Sequence, residues 1–182
     1  DLESNYLKSI FHYFNSKRFL TFLEQLTGIE GLIPDPDFLG GGFHETLKGG
    51  HLGVHADFNI HKRLILHRKI NVLIYLNDNW KDNYGGELEL WDKKMNGKVV
   101  SVSPTINKCV IFNTDIDSYH GHPEPLNVPK KITRKSIALY YYTSSEELYN
   151  LIPQRSTVFK KRKGSKDPNN IKQTFTNILK DI

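Results

Sequence analysis

With 182 residues, 38% of them hydrophobic and 25% charged, the chain has the size and balance of one soluble globular domain, which excludes a disordered or fibrous chain. No apolar run approaches the roughly 20 residues a membrane span needs, and a single cysteine, Cys109, excludes an internal disulfide and every multi-cysteine zinc or iron–sulfur site. The net charge is +5, and five positive charges cluster in Lys160, Lys161, Arg162, Lys163 and Lys166; such a run reads as a solvated turn, so nucleic-acid binding is not expected.

Residues 1–27 are expected to be helical. Leu2, Tyr6, Leu7, Ile10, Phe11 and Phe14 recur at three- and four-residue spacing, as do Phe19, Phe22, Leu23 and Leu26. Asn15 or Ser16 is the candidate cap of a second helix, and Gly28 its stop. The segment from Pro34 to Gly53 has a Pro/Gly composition that helix interiors exclude, so it reads as loop and irregular strand. From His51 the pattern changes to short β-type runs divided by turn residues: HLGVHADF, KINVLIYLN, GELELW, KVVSVS, CVIFN and SIALYYYT. Such runs after a helical lead predict a mainly β fold, a sandwich or barrel with helices packed outside. The last residues, QTFTNILKDI, read as a short closing helix. The expected organisation is a single domain over 1–182, with helical support at 1–33, a β core at about 40–145 and a basic extension at 146–182. The N-terminus lacks the pattern of a signal peptide, Asp1 suggests a trimmed start, and the lone cysteine suits a reducing compartment; the expected location is the cytoplasm.

The sequence contains no GxGxxG after a strand, no GxxxxGK[ST] and no GxSxG, which leaves dinucleotide, P-loop and α/β-hydrolase readings without support. His44-Glu45 begins like HExxH, but residue 48 is Lys. His122-Pro-Glu124 echoes the HxE of zinc deaminases, whose PCxxC partner cannot exist with one cysteine. Cys109, inside the apolar run CVIF, reads as a buried, inert thiol.

His55-Ala56-Asp57 lies on the first β-type run. Strand residues i and i+2 share a face, so imidazole and carboxylate project together with about 7 Å between their Cα atoms, which suits two cis ligands of one metal ion. Alone this triplet is weak. His120, just after CVIFN, completes two His and one carboxylate, the facial triad of non-haem Fe(II) oxygenases. His122 shares its parity and is the rival third ligand. Arg134 opens the run RKSIALYYY, and Ser136 shares its face. An unpaired buried charge is expensive, and a guanidinium beside a hydroxyl matches a carboxylate. Tyr75, in KINVLIYLN, supplies a phenolic hydrogen bond from the adjacent wall. An iron triad next to this pocket describes a site for a metal-chelating dicarboxylate, 2-oxoglutarate. His51 shares the parity of His55 and Asp57 and lies either on the pocket or in a loop. His61 and His67, within HKRLILHRK, are expected to be exposed or partly packed. Gly85-Gly86 reads as turn chemistry, and Tyr140, in step with Arg134, as a residue bordering the cosubstrate.

These elements together resemble the Fe(II)/2-oxoglutarate-dependent dioxygenases, and among them the prolyl-4-hydroxylase-like branch. The matching stretches are HADF (55–58), VLIYLNDNW (72–80), GGELELW (85–91), CVIFN followed by YHGHP (109–123), and RKSIALYYY (134–142). They occur in the family's order over about residues 40–143. The resemblance implies a double-stranded β-helix, a cupin-like jelly roll, with N-terminal helices supporting the major sheet. It implies Fe(II) on His55, Asp57 and His120, and the distal carboxylate of 2-oxoglutarate on Arg134, with Ser136 and Tyr75 assisting. O₂ is then the second cosubstrate and ascorbate a candidate reductant. The implied reaction hydroxylates an unactivated C–H bond of a peptidyl proline or similar peptide side chain. Left open are the same chemistry on a free amino acid, sugar or lipid precursor, a non-catalytic cupin-like binding domain, and a cupin isomerase. The oligomeric state is not set by the sequence.

Overall fold

The computed structural model describes residues 4–144 and 153–167. Two helices lead the chain, α1 (Asn5–Phe14) and α2 (Lys17–Thr27). Ser16 caps α2, its hydroxyl accepting from the Phe19 N–H at 3.4 Å, whereas Asn15 closes α1. Gly28 ends α2 with φ at 70°, a left-handed conformation that glycine adopts without a Cβ penalty.

The larger sheet is built around two ten-residue strands, β5 (Leu66–Tyr75) and β10 (Arg134–Thr143). They pair antiparallel, with Ser136 opposite Tyr75 and Tyr140 opposite Asn71. Beyond β10 lie β1 (Ile33–Pro34) and β2 (Gly42–Thr46); beyond β5 lie β4 (Ile60–His61) and β8 (Cys109–Asn113). The smaller sheet runs in the order β11 (Val158–Phe159), β3 (Leu52–Ala56), β9 (His120–His122), β6 (Leu88–Trp91), β7 (Lys98–Val102). Every strand pairing in both sheets is antiparallel.

Alternation along β10 and β5 divides their side chains between two environments. Ile137, Leu139, Tyr141, Ile70 and Val72 meet Phe11, Phe19 and Leu23 of the helices in one apolar cluster. Burying each of these large side chains contributes roughly 1.5–3 kcal/mol. Arg134, Ser136, Tyr140, Asn71 and Tyr75 project from the opposite face, toward the smaller sheet. The gap between the sheets is spanned by Phe112 of β8 and His120 of β9, whose ring centroids are 4.8 Å apart. The architecture is the mainly β double-stranded β-helix, with the helices covering the outside of the larger sheet.

Several local expectations differ from the structure. His120–His122, outside the runs read as β-type, forms β9, because pairing with β3 and β6 satisfies its backbone. Cys109 is exposed, not buried, since β8 pairs only with β5 among the described residues and leaves its first residue at the sheet's rim. His61 and His67 are buried: β4 folds back on β5 with Ile60 opposite His67, so only residues 62–65 of the basic run turn out to water. His61 then stands 3.5 Å from Asp35 and packs edge-on against the Tyr142 ring. The basic extension contributes β11, which pairs with β3, and Arg162 is tied to Asp167 and Glu124; Lys160, Lys163 and Lys166 remain exposed. The closing helix read at QTFTNILKDI lies outside the described residues.

Candidate active site

The pairing of β3 with β9 places His55 directly opposite His120. Asp57 follows the end of β3, and its carboxylate returns between the two rings. His55 Nε2 is 3.5 Å from Asp57 Oδ1, and His120 Nε2 is 3.3 Å from Oδ2. All three residues are buried, and their ligand atoms lie within 4.8 Å of one another. The close approach depends on Gly121. A Cβ there would lie 2.7 Å from the Leu52 carbonyl oxygen and 2.8 Å from that of Gly53, where the β3–β9 register shifts.

Both imidazoles are oriented for metal binding. His55 Nδ1 lies 2.8 Å from the Gly53 carbonyl oxygen and His120 Nδ1 lies 3.0 Å from that of Ser118. A carbonyl only accepts, so each Nδ1 carries the proton and each Nε2 presents a lone pair. Asp57 Oδ2 accepts from Asn71 Nδ2 at 2.8 Å and pairs with Arg68 Nη2 at 3.0 Å. Burial alone would raise the Asp57 carboxyl; Arg68, and then His120 and His55, outweigh it and hold the group well below the usual carboxylate range. His120 is held below the ordinary imidazole value chiefly by burial, against the pull of Asp57. Two imidazole nitrogens and one carboxylate therefore converge on one point. This donor set fits a divalent transition-metal ion with coordination positions to spare.

Arg68 and Asn71 were missed from sequence. Asn71 Oδ1 accepts from Arg68 Nε at 3.0 Å and from Nη2 at 2.7 Å. The guanidinium carbon stands 3.4 Å from the centroid of the Tyr140 ring and 4.6 Å from that of Phe58. Arg68 sits in the run HKRLILHRK, and nothing in that run distinguishes it from Lys62 or Arg63.

Arg134, Ser136 and Tyr75 lie together on the inner face where β10 meets β5. All three are buried. Arg134 Nε donates to the Gly86 carbonyl oxygen at 2.8 Å, and Nη2 reaches the Tyr75 hydroxyl oxygen at 3.4 Å. Among the described residues no carboxylate lies within ion-pair distance of Arg134. Burial lowers its pKa, and Tyr75 opposes this; burial raises that of the Tyr75 phenol, which stays a neutral donor. The charge of Glu87 also acts on Arg134, though not from ion-pair distance, and a buried cation without a contacting anion is costly. Gly86 is more than turn chemistry: with φ at +79°, it leaves room where a Cβ would lie 3.0 Å from Arg134 Cδ and 2.5 Å from Leu126 Cδ2.

Two further histidines adjoin this pocket. His44 on β2 lies opposite Ser136, and burial, followed by Arg134 and Arg68, lowers its pKa against the hydrogen bond to Gly40. His122 is not among the gathered donor atoms; it is buried, and its pKa is pushed well down, first by burial and then by Arg134. His51 is exposed, although its charge also bears on His122.

Residues 41–142 match the 2OG-Fe(II) oxygenase superfamily. The match covers more than half of the chain and contains all six site residues, and the chain belongs to that superfamily. Fe(II) and 2-oxoglutarate are the cofactor and cosubstrate the family implies, and the buried His55–Asp57–His120 triad provides for the iron. No curated protein matches. Among solved structures, a prolyl 4-hydroxylase of Phytophthora capsici is similar at 20% identity and a TM-score of 0.54, over 79% of this chain and 46% of that one. That likeness supports the fold. A prolyl hydroxylase of Trichoplax adhaerens, solved with a peptide fragment of the hypoxia inducible factor oxygen degradation domain, is 27% identical over 60% of this chain and 44% of that one, with a TM-score of 0.44. A Pseudomonas putida prolyl-4-hydroxylase is 20% identical over 70% and 61%, with a TM-score of 0.45. The chain spans less than two thirds of the length of each.

Proposed function

We propose that this chain is a single-domain hydroxylase in which His55, Asp57 and His120 hold Fe(II), Arg134, Ser136 and Tyr75 hold the distal carboxylate of 2-oxoglutarate, and the prime substrate is a peptidyl proline or similar peptide side chain. The observation that carries the reading is a buried cation with no ion-pair partner in contact among the described residues, Arg134, on the face of the larger sheet turned toward the strands that carry the converging triad. Iron with 2-oxoglutarate and O₂ would supply the oxidising power that turns an unactivated C–H bond into an alcohol, one oxygen atom of O₂ going to the alcohol and the other to succinate, with CO₂ released.

The chain's own residues bind and orient. The carbonyls of Gly53 and Ser118 fix both imidazole tautomers, and Arg68 with Asn71 keeps the Asp57 carboxylate ionised and pointed inward. Arg134 and the Tyr75 hydroxyl offer hydrogen bonds to a carboxylate from the far wall. Burial of the triad and of Arg134, Ser136 and Tyr75 limits entry of water, which strengthens each of these interactions. Phe58 and Tyr140 stack on the Arg68 guanidinium and so help to hold it against Asp57. The stretches HADF, VLIYLNDNW and RKSIALYYY, which resemble the prolyl-hydroxylase branch, support the same substrate class. The location we favour is the cytoplasm, where an exposed lone cysteine stays reduced. Among the described residues, no helix is long and apolar enough to cross a membrane.

The test is anaerobic addition of Fe(II) and then 2-oxoglutarate, monitored by the visible metal-to-ligand charge-transfer band. The band should be lost in Asp57→Ala, and should need far more 2-oxoglutarate in Arg134→Ala. Metal binding without any band would leave a cupin-like binding domain. Turnover of proline-containing peptides, set against free amino acids and sugars, then decides the substrate class.

A further inference from the structure

One buried side chain beside the candidate site carries a polar atom without a hydrogen-bond partner. His122 stands on β9 two residues beyond His120, so both imidazoles leave the same face of the strand, about 7 Å apart at their Cα atoms. Its register partner is Leu52, not His55, which carries it away from the three metal donors. The side chain is 7% exposed, and its Nδ1 has no hydrogen-bond partner. The charges that weigh most on the ring belong to Arg134, His51, His55 and His44, and no carboxylate is among them. A buried polar nitrogen left without a partner is costly, and the position makes sense when a bound anion supplies the acceptor.

The Arg134 pocket needs such a donor. Arg134 Nε is already engaged by the Gly86 carbonyl, and Nη2 leans on Tyr75, so the guanidinium cannot offer all of its edges. A carboxylate has about four acceptor positions. Resting on the reading of Arg134 as its anchor, we propose that His122 is a further cosubstrate-binding residue of this chain, its Nδ1–H donating to the distal carboxylate of 2-oxoglutarate alongside Arg134. The interaction acts at the end of the cosubstrate that does not touch the metal.

The test is calorimetric titration of 2-oxoglutarate, and separately of oxalate, into Mn(II)-loaded wild type, His122→Phe, His122→Gln and Arg134→Ala. Oxalate has the chelating end of the cosubstrate and lacks the distal carboxylate. A hydrogen bond to a charged group predicts a roughly ten- to hundredfold weaker 2-oxoglutarate affinity in His122→Phe. Oxalate and Mn(II) affinities should stay at wild-type values, and His122→Gln should recover most of the loss. Should His122→Phe fail to fold, His122→Leu carries the same comparison. Unchanged 2-oxoglutarate affinity, equal losses for oxalate, or a glutamine variant as weak as phenylalanine would each overturn the proposal. Loss of Mn(II) binding would instead make His122 a metal ligand. An unaffected Arg134→Ala would remove the underlying pocket reading, whereas a weakened Arg134→Ala beside an unaffected His122→Phe would remove only this inference.

Discussion

Replacing Arg68 by methionine tests how the carboxylate of the triad is held. The substitution keeps a long side chain that packs against Tyr140 and Phe58 through its sulfur. It removes the charge 3.0 Å from Asp57 Oδ2 and both donors that Asn71 Oδ1 accepts. Breaking a buried ion pair on one side typically costs about 3–5 kcal/mol. Asn71 Nδ2 and the two imidazoles still face Asp57, so the lower end, about 3 kcal/mol, is expected for metal-free protein. At 2–4 °C per kcal/mol for a chain of this size, the midpoint should fall by about 6–12 °C. A divalent ion supplies the missing positive charge, and Arg68 no longer competes for the same carboxylate. The difference between Arg68→Met and wild type should therefore shrink when both are saturated with Mn(II), because ligand binding stabilises the variant more. Thermal unfolding with and without Mn(II) makes the comparison. A difference that stays constant or widens on metal addition would refute the reasoning, showing that Arg68 supports the fold through packing alone.

Other substitutions and conditions probe the same geometry. Gly121→Ala puts a Cβ against the backbone oxygens of Leu52 and Gly53, and such overpacking costs about 1–3 kcal/mol; metal titration should show β9 displaced from β3 as a weakened metal affinity, and unaltered affinity would contradict the contact. Gly86→Ala imposes a side chain at φ +79° and crowds Arg134, at a cost of about 1–2 kcal/mol from the left-handed conformation alone; 2-oxoglutarate binding should weaken while metal binding holds. For pH, burial holds His44 and His67 below the ordinary imidazole value of 6.5 in the folded protein. Their contribution is intact above pH 6.5 and is lost as pH falls toward the folded values, because the unfolded chain then binds more protons. Each adds a slope of up to about 1.4 kcal/mol per pH unit in that window. Urea unfolding of metal-free His67→Gln should show a flatter decline below that pH than wild type, and an equal decline would show that His67 does not titrate there.

Much of the site was legible because strand periodicity alone puts residues i and i+2 on one face. That rule paired His55 with Asp57 and Arg134 with Ser136, and the apolar runs around them located the strands that carry the larger sheet. The order of HxD, distal His and strand-borne Arg was enough to expect an iron and 2-oxoglutarate site. Local pattern could not say which of His120 and His122 joins the metal donors, since both share a face. The pairing of β9 against β3 decides it, with His120 opposite His55 and His122 opposite Leu52. Arg68 looked like any other cation in HKRLILHRK until β4 folded back on β5 and enclosed it beside Asp57. Gly86 and Gly121 are forced by neighbours far away in sequence: the Arg134 side chain in one case and the β3 backbone in the other. Periodicity and residue chemistry are local properties, written in the order of the amino acids. Which buried charge meets which partner, and where a Cβ has no room, are set by contacts between strands distant in the chain, and exist only once the two sheets have closed on each other.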